Sequence, residues 1–221
     1  MIQLESDIKD VKTEVISMWN LVESQMTKTR AAMMSSDRDL AREVVARERR
    51  VNAFELKIDR DCENIFALFC PVAIDLRFLL AALKINTNLE RIGDIADGIA
   101  KYVIDSSHNF DRNLYEKTQI NVMFECAVNL LADTRVAFEN EDTALARSIF
   151  QKDEVLDVIN KAAIDRTAEY ITENPENIKD ALYVLSIIRK LERVGDQAKN
   201  MAEEVIFYVE AKVLKHQGKT L

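Results

Sequence analysis

With 221 residues, 48% of them hydrophobic, the chain can build a sizeable core as one large or two small domains. It holds only four glycines and two prolines, and Leu, Ala, Glu, Lys, Arg and Ile dominate, which favours an all-α protein. A net charge of -8 argues against nucleic acid as the main partner.

The basic clusters Arg47-Glu48-Arg49-Arg50 and Lys212 to Lys219 read as solvated faces on the same grounds. Three cysteines, Cys62, Cys70 and Cys126, have no metal-type spacing, and their odd number fits a reducing compartment. Each is expected to act as a small buried hydrophobe. Met1 to Asp10 is acidic with a helical pattern, so no signal peptide is expected. The longest apolar run, Ile65 to Ile74, is ten residues and contains Pro71. That is too short to span a bilayer. The expected location is therefore the cytoplasm, with no transmembrane segment.

In chain order, Leu4, Ile8, Val11, Val15, Met18, Val22 and Met26 recur at spacings of three and four, which predicts one long amphipathic helix to about Met34. Ser35-Ser36-Asp37 breaks it and can cap the next helix, about Asp39 to Phe69. That helix carries Glu48, Asn52, Glu55 and Asp59 on one stripe. Cys70-Pro71 forces a turn, and a third helix spans about Val72 to Asp105. The polar connector Asp105 to Asn109, containing His108, is the expected joint between domains 1–107 and 108–221. Helical spacing resumes through Ile120, Phe124, Ala127, Leu131 and Phe138. A fifth helix follows from about Asp142, Asn174-Pro175 supplies a cap and a helix-starting proline, and the last helix runs from about Glu176 to Lys215. His216 lies in the tail beyond it.

The second half repeats the first, three helices for three. Asp37-x-x-Leu40-Ala41-Arg42 returns as Asp142-x-x-Leu145-Ala146-Arg147, Pro71 as Pro175, and Leu89-Glu90-Arg91-Ile92-Gly93-Asp94 as Leu191-Glu192-Arg193-Val194-Gly195-Asp196. Two of the four glycines occupy matching places inside these predicted helices. A mid-helix glycine costs roughly 1 kcal/mol against alanine, so the repeated cost points to a shared packing need.

At about 100° per residue, Leu89, Ile92, Ala96, Ile99, Ala100 and Val103 share an arc, and Glu90, Asp94 and Asp97 form a stripe beside it. Glu90/Asp94 and Glu192/Asp196 are like charges at i,i+4, which repel by a few tenths of a kcal/mol. Lys101 can offset Asp97, but neither pair has a basic residue built into it, so repeated repulsion beside an apolar seam asks for a cation. Short connections make neighbouring helices antiparallel, so residues equidistant from a turn share a level. Asn52 lies 19 residues before Pro71 and Glu90 lies 19 after it; Asp157 lies 18 before Pro175 and Glu192 lies 17 after. One donor stripe pair is therefore Glu48 and Asn52 with Glu90, Asp94 and Asp97. The other is Asp153 and Asp157 with Glu192, Asp196 and Asn200. An all-oxygen set suits hard cations such as Mg, Ca, Mn or oxidised iron rather than zinc or copper.

These motifs, with Asp75-Leu76-Arg77-Phe78-Leu79-Leu80-Ala81-Ala82-Leu83-Lys84-Ile85 before the first and Leu191 to Val205 in the second half, resemble the PhoU family of phosphate-transport accessory proteins. The resemblance covers essentially the whole chain. It implies two pseudo-symmetric three-helix bundles, six long antiparallel helices in all, each with a multinuclear metal site, iron in some members, on E/D-x-x-x-D pairs. Glu90 with Asp94, Glu192 with Asp196, and Asp153 with Asp157 match the family motifs. Glu48-x-x-x-Asn52 departs by an amide, which lowers the charge expected at the first site, although Asn52 still offers a carbonyl oxygen. The resemblance further implies negative regulation of the phosphate-starvation response and of phosphate uptake. The partners it implies are a phosphate ABC transporter ATPase and a phosphate-sensing histidine kinase, and a homodimer is the expected assembly.

Two other classes compete. A di-iron oxidase would use Glu-x-x-His in a helical bundle, and neither His108 nor His216 has a glutamate three residues before it. No phosphate-cradling Gly-rich loop appears either, so no enzymatic activity is expected. A metal-free structural helical adaptor for another phosphate transporter is the alternative, in which the acids only decorate the surface.

Overall fold

The computed structural model describes residues 2–106 and 109–214; the expectations for His108 and His216, and the 107/108 domain boundary, lie outside the described residues. The described chain is all-α. In order it forms α1 (Ile2–Ser35), α2 (Arg38–Phe69), α3 (Ala73–Asp105), α4 (Arg112–Thr118), α5 (Ile120–Asn140), α6 (Thr143–Lys152), α7 (Glu154–Glu173), a 3-10 turn (Pro175–Asn177) and α8 (Ile178–Glu210).

The breaks expected at Asp37 and at Cys70-Pro71 operate, whereas Asn174, the expected cap before Pro175, makes no side-chain capping bond. Asp37 accepts from the amides of Asp39 and Leu40, and its repeat counterpart Asp142 accepts from that of Leu145. Each supplies an acceptor to amide groups that a helix start leaves unpaired. Cys70 and Glu141 close their helices in the left-handed conformation.

Elsewhere in the helices and at the cysteines the structure also differs from the sequence reading. A short helix, α4, precedes α5, and Tyr170 beside it donates to Asp111, the α4 cap, at 2.7 Å. The predicted fifth helix is interrupted at Asp153, where the Leu156 amide bonds back three residues to the Asp153 carbonyl at 2.9 Å. The last helix ends at Glu210, five residues early, because Ala211 turns left-handed. The cysteines are not alike: Cys62 is buried, and burial pushes its thiol up to about 12, but Cys126 is half-buried and Cys70 exposed. Cys70 stands at the left-handed turn before Pro71, where the chain leaves the core.

Packing follows the repeat. Helices α1, α2 and α3 pack on one another, as do α5, α6, α7 and α8. The halves meet through two antiparallel contacts. In α1 with α5, Lys12 reaches Glu141, Trp19 Nε1 donates to the Leu131 carbonyl at 3.1 Å, and Arg30 reaches Asn121. In α3 with α8, Arg77 donates to the Tyr208 carbonyl, Lys84 binds both oxygens of the buried Glu204, and Tyr102 stacks on Tyr183 at 4.8 Å. One continuous hydrophobic core runs through both halves, and every member of the arc Leu89, Ile92, Ala96, Ile99, Ala100, Val103 is buried. With α1, α3, α5 and α8 central, α2 and α6–α7 remain on the flanks. Each flank carries one acidic stripe.

Candidate metal centres at two carboxylate clusters

The motif glycines are the points of closest approach between flank and centre. A Cβ on Gly93 would lie 3.1 Å from Val51 Cγ1 and 3.4 Å from Glu48 Oε2; on Gly195 it would lie 2.1 Å from Asp153 Oδ1 and 2.6 Å from Leu156 Cδ1. Val51 and Leu156, like Glu48 and Asp153, are 105 residues apart, the offset of the Asp37/Asp142 caps. The missing side chain therefore admits an acid from the flanking helix in both halves. That is the shared packing need implied by two glycines in helices.

In the first half, Glu48 of α2 lies in the field of Asp94, Asp97 and Glu90 of α3. Burial, reinforced by Asp94, pushes its carboxyl up to about 7. Its Oε1 is buried with no hydrogen-bond partner, while Gln25 donates to Oε2 at 3.4 Å. Burial, then Asp94 and Glu55, also raises Glu90. Glu55 thus joins the cluster, and Asn52 is exposed. The level counted from the turn holds, but the side of α2 facing α3 carries Glu48, Val51 and Glu55, with Asn52 about 40° beyond Glu48 on the other side. The i,i+7 step from Glu48 to Glu55 was the available signal. Asp97 is 8% exposed and pairs with Lys101 at 2.5 Å.

In the second half, Asp153 is 3% exposed, with Oδ1 unpartnered. Glu192 is raised by burial and by Asp196 and Asp157, so these four acids act on one another. Here the expectation of pairs without a basic residue is corrected. Lys199 bonds Asp153 Oδ2 at 2.5 Å and Asp196 Oδ1 at 2.9 Å. It stands three residues after Asp196 and reaches across to the flanking helix. Burial opposes its charge, yet the two carboxylates outweigh that and hold it above the usual lysine range. Asn200 is exposed and lines a different cleft, of about 260 Å³, with Lys84, Asn88 and Glu204. A neighbouring cleft of about 330 Å³ on the α3–α8 seam is lined by Arg91, Asp94, Ile95, Asp97, Lys190 and Arg193, so both motif arginines converge there.

Among the described residues, no three acid, cysteine or histidine side chains converge tightly enough to hold one metal ion in the rotamers they adopt. The donor chemistry nonetheless fits a hard cation. The oxygens are hard, Glu48 Oε1 and Asp153 Oδ1 are orphaned, and burial, reinforced by mutual repulsion, raises carboxyls in both halves. Glu48, Glu55, Glu90, Asp94 and Asp97 would supply the first site, and Asp153, Asp157, Glu192 and Asp196 the second.

Fold and clusters together define the class: an internally duplicated helical bundle with one carboxylate cluster on each flank. The family model described as "PhoU domain" matches residues 15–103 and again 120–205, one copy per half. The chain belongs to the PhoU family. It is similar to the phosphate-specific transport system accessory protein PhoU of Edwardsiella tarda, 32% identical over 98% of this chain and 88% of the relative. A PhoU homolog from Aquifex aeolicus is 32% identical over 97% of this chain and 96% of its own length. The crystal structure of PhoU from Pseudomonas aeruginosa matches with a TM-score of 0.85 at 30% identity, covering 94% of this chain and 99% of that one. That from Streptococcus pneumoniae matches at 0.83 with 27% identity, over 95% of this chain and 98% of that one.

Proposed function

We propose that this chain is a regulatory accessory protein of a phosphate transport system, damping phosphate uptake and the phosphate-starvation response from the cytoplasmic side. The observation that carries this reading is the near full-length similarity to proteins named as accessory proteins of such systems. The partners are a transporter ATPase and a phosphate-sensing histidine kinase, and no helix among the described residues is long and apolar enough to cross a membrane. A homodimer belongs to the same reading. Exposed Leu76 and Leu80, repeated as Ile178 and Leu182, offer apolar surface for it. Deletion of the gene is expected to leave phosphate-regulated expression on in phosphate-rich medium, and complementation to switch it off. Unchanged expression in the deletion strain would refute the role.

Hard-metal clusters on the two acidic flanks, iron first and Mn, Mg or Ca otherwise, complete the proposal. A bound cation would neutralise the carboxylates and tie each flanking helix to its central partner. Asp94→Asn is expected to lower the metal content of purified protein while leaving helical circular dichroism intact, since Asp94 is exposed beside the core. Elemental analysis showing equal metal in parent and variant would count against the first cluster. A metal-free structural adaptor is the second reading, and the observation favouring it is the ammonium already seated in the second cluster.

A further inference from the structure

The two clusters occupy equivalent places, and among the positions where they differ one exchanges a carboxylate for an ammonium. At the position where α3 carries Asp97, α8 carries Lys199, 102 residues on, the same offset that relates Gly93 to Gly195. Asp97 adds a carboxylate to the first cluster, and its partner Lys101 is an exposed residue of the same helix. Lys199 instead subtracts a charge from the second cluster. Its ammonium joins Asp153 on the flank to Asp196 on α8, which is the tie a bound cation would make. Its side chain is 26% exposed, against 59% for Lys101, and the Asp153 side chain it neutralises is 4% exposed. The other oxygen of Asp153 lies against Gly195 with no hydrogen-bond partner, so this acid is committed to the seam, and Lys199 is its ion-pair partner among the described residues.

We infer that Lys199 is a tethered counter-cation that closes the second cluster, so that this protein takes exchangeable divalent cations at the first cluster and admits one to the second only when the ammonium is displaced. The inference rests on the metal reading proposed above. It assigns the two halves different work: an open cation site on α2–α3 and, on α6–α8, a seam that carries its own partial counter-charge. It also reverses the order of strength expected from Asn52, because Glu55 and Asp97 enrich the first cluster while Lys199 discharges the second.

The test is Mn²⁺ titration of chelator-treated full-length protein, followed by calorimetry and by the electron paramagnetic resonance of bound Mn²⁺. Parent protein is expected to show one class of site, removed by Glu90→Gln with Asp94→Asn. Lys199→Met is expected to add a second class, with affinity at least tenfold tighter than the parent shows there, removed in turn by Asp196→Asn. Lys199→Arg, which retains a cation, should behave as the parent, and Lys199→Gln provides a second neutral variant with a polar head. Metal-free Lys199→Met should melt below the parent and recover on Mn²⁺ addition. Equal stoichiometry and affinity in parent and Lys199→Met would overturn the inference and leave the metal reading standing. Binding by Lys199→Met alone would overturn the assignment of the open site to the first cluster while upholding Lys199 as the block on the second. No binding by any form would refute both.

Discussion

Gly195→Ala is expected to lower the melting temperature by roughly 5–10 °C, and Gly93→Ala to shift it by only about a degree or two. The same chemical change is made twice in the same motif, so helix propensity contributes equally, about 1 kcal/mol in favour of alanine. The difference is space. At Gly195 the new methyl would sit 2.1 Å from Asp153 Oδ1 and 2.6 Å from Leu156 Cδ1, distances no packing tolerates. Overpacking of this kind costs about 1–3 kcal/mol. Here it also pushes Asp153 off the ammonium of Lys199, stranding a buried carboxylate. A net loss of about 2–3 kcal/mol corresponds to that temperature shift in a chain of this size. At Gly93 the nearest atoms, Val51 Cγ1 at 3.1 Å and Glu48 Oε2 at 3.4 Å, need yield only a few tenths of an ångström. The propensity gain then offsets the strain. Calorimetric melts of the two variants decide it, and equal losses at both positions would show that the glycines do not mark different clearances.

The second large effect is a loss of stability with rising pH in chelator-treated protein. Glu48 ionises near 7 in the fold against an ordinary 4.5, because burial and the neighbouring Asp94 disfavour its charge. Between those values the folded protein binds more protons than the unfolded chain. Stability contributed by the neutral carboxyl is thus full below about pH 4.5 and lost as pH rises through 7. Glu55, Glu90, Asp153 and Glu192 are raised as well, so they slope the same way. The carboxyls held low, Glu43 and Glu210, are already ionised above pH 5 in both states and do not mask the trend. Allowing for its partial exposure, Glu48 accounts for about 2 kcal/mol. Glu48→Gln retains the shape and removes the charge, so at pH 8 it should be more stable than the parent by about that amount, with a flatter profile. Urea melts at pH 5 and pH 8 measure both slopes. A parent more stable at pH 8 than at pH 5, or a Glu48→Gln variant weaker than the parent at pH 8, would contradict the assignment. Added metal should reverse the slope, since ligands must lose protons to bind it.

The sequence by itself determined the long helices α1, α2 and α3, the start of α6 near Asp142, the cap at Asp37, the hairpin turn at Pro71, the buried arc of α3 and the acidic stripe beside it, but not α4 or the break at Asp153. These features follow from a 3.6-residue period and from turn chemistry, which act over a few neighbouring residues. The hairpin count also set the correct level of the acids, because axial rise is constant along a helix. Tertiary structure alone decided the rest: Glu55 faces Glu90 while Asn52 turns to solvent, Lys199 crosses to Asp153, Asn200 falls in another cleft, and the motif arginines converge on the α3–α8 seam. Those outcomes depend on how far one helix is rotated about its axis against the next and on how far a lysine can reach. Packing of the whole core sets that rotation, and no local pattern encodes it.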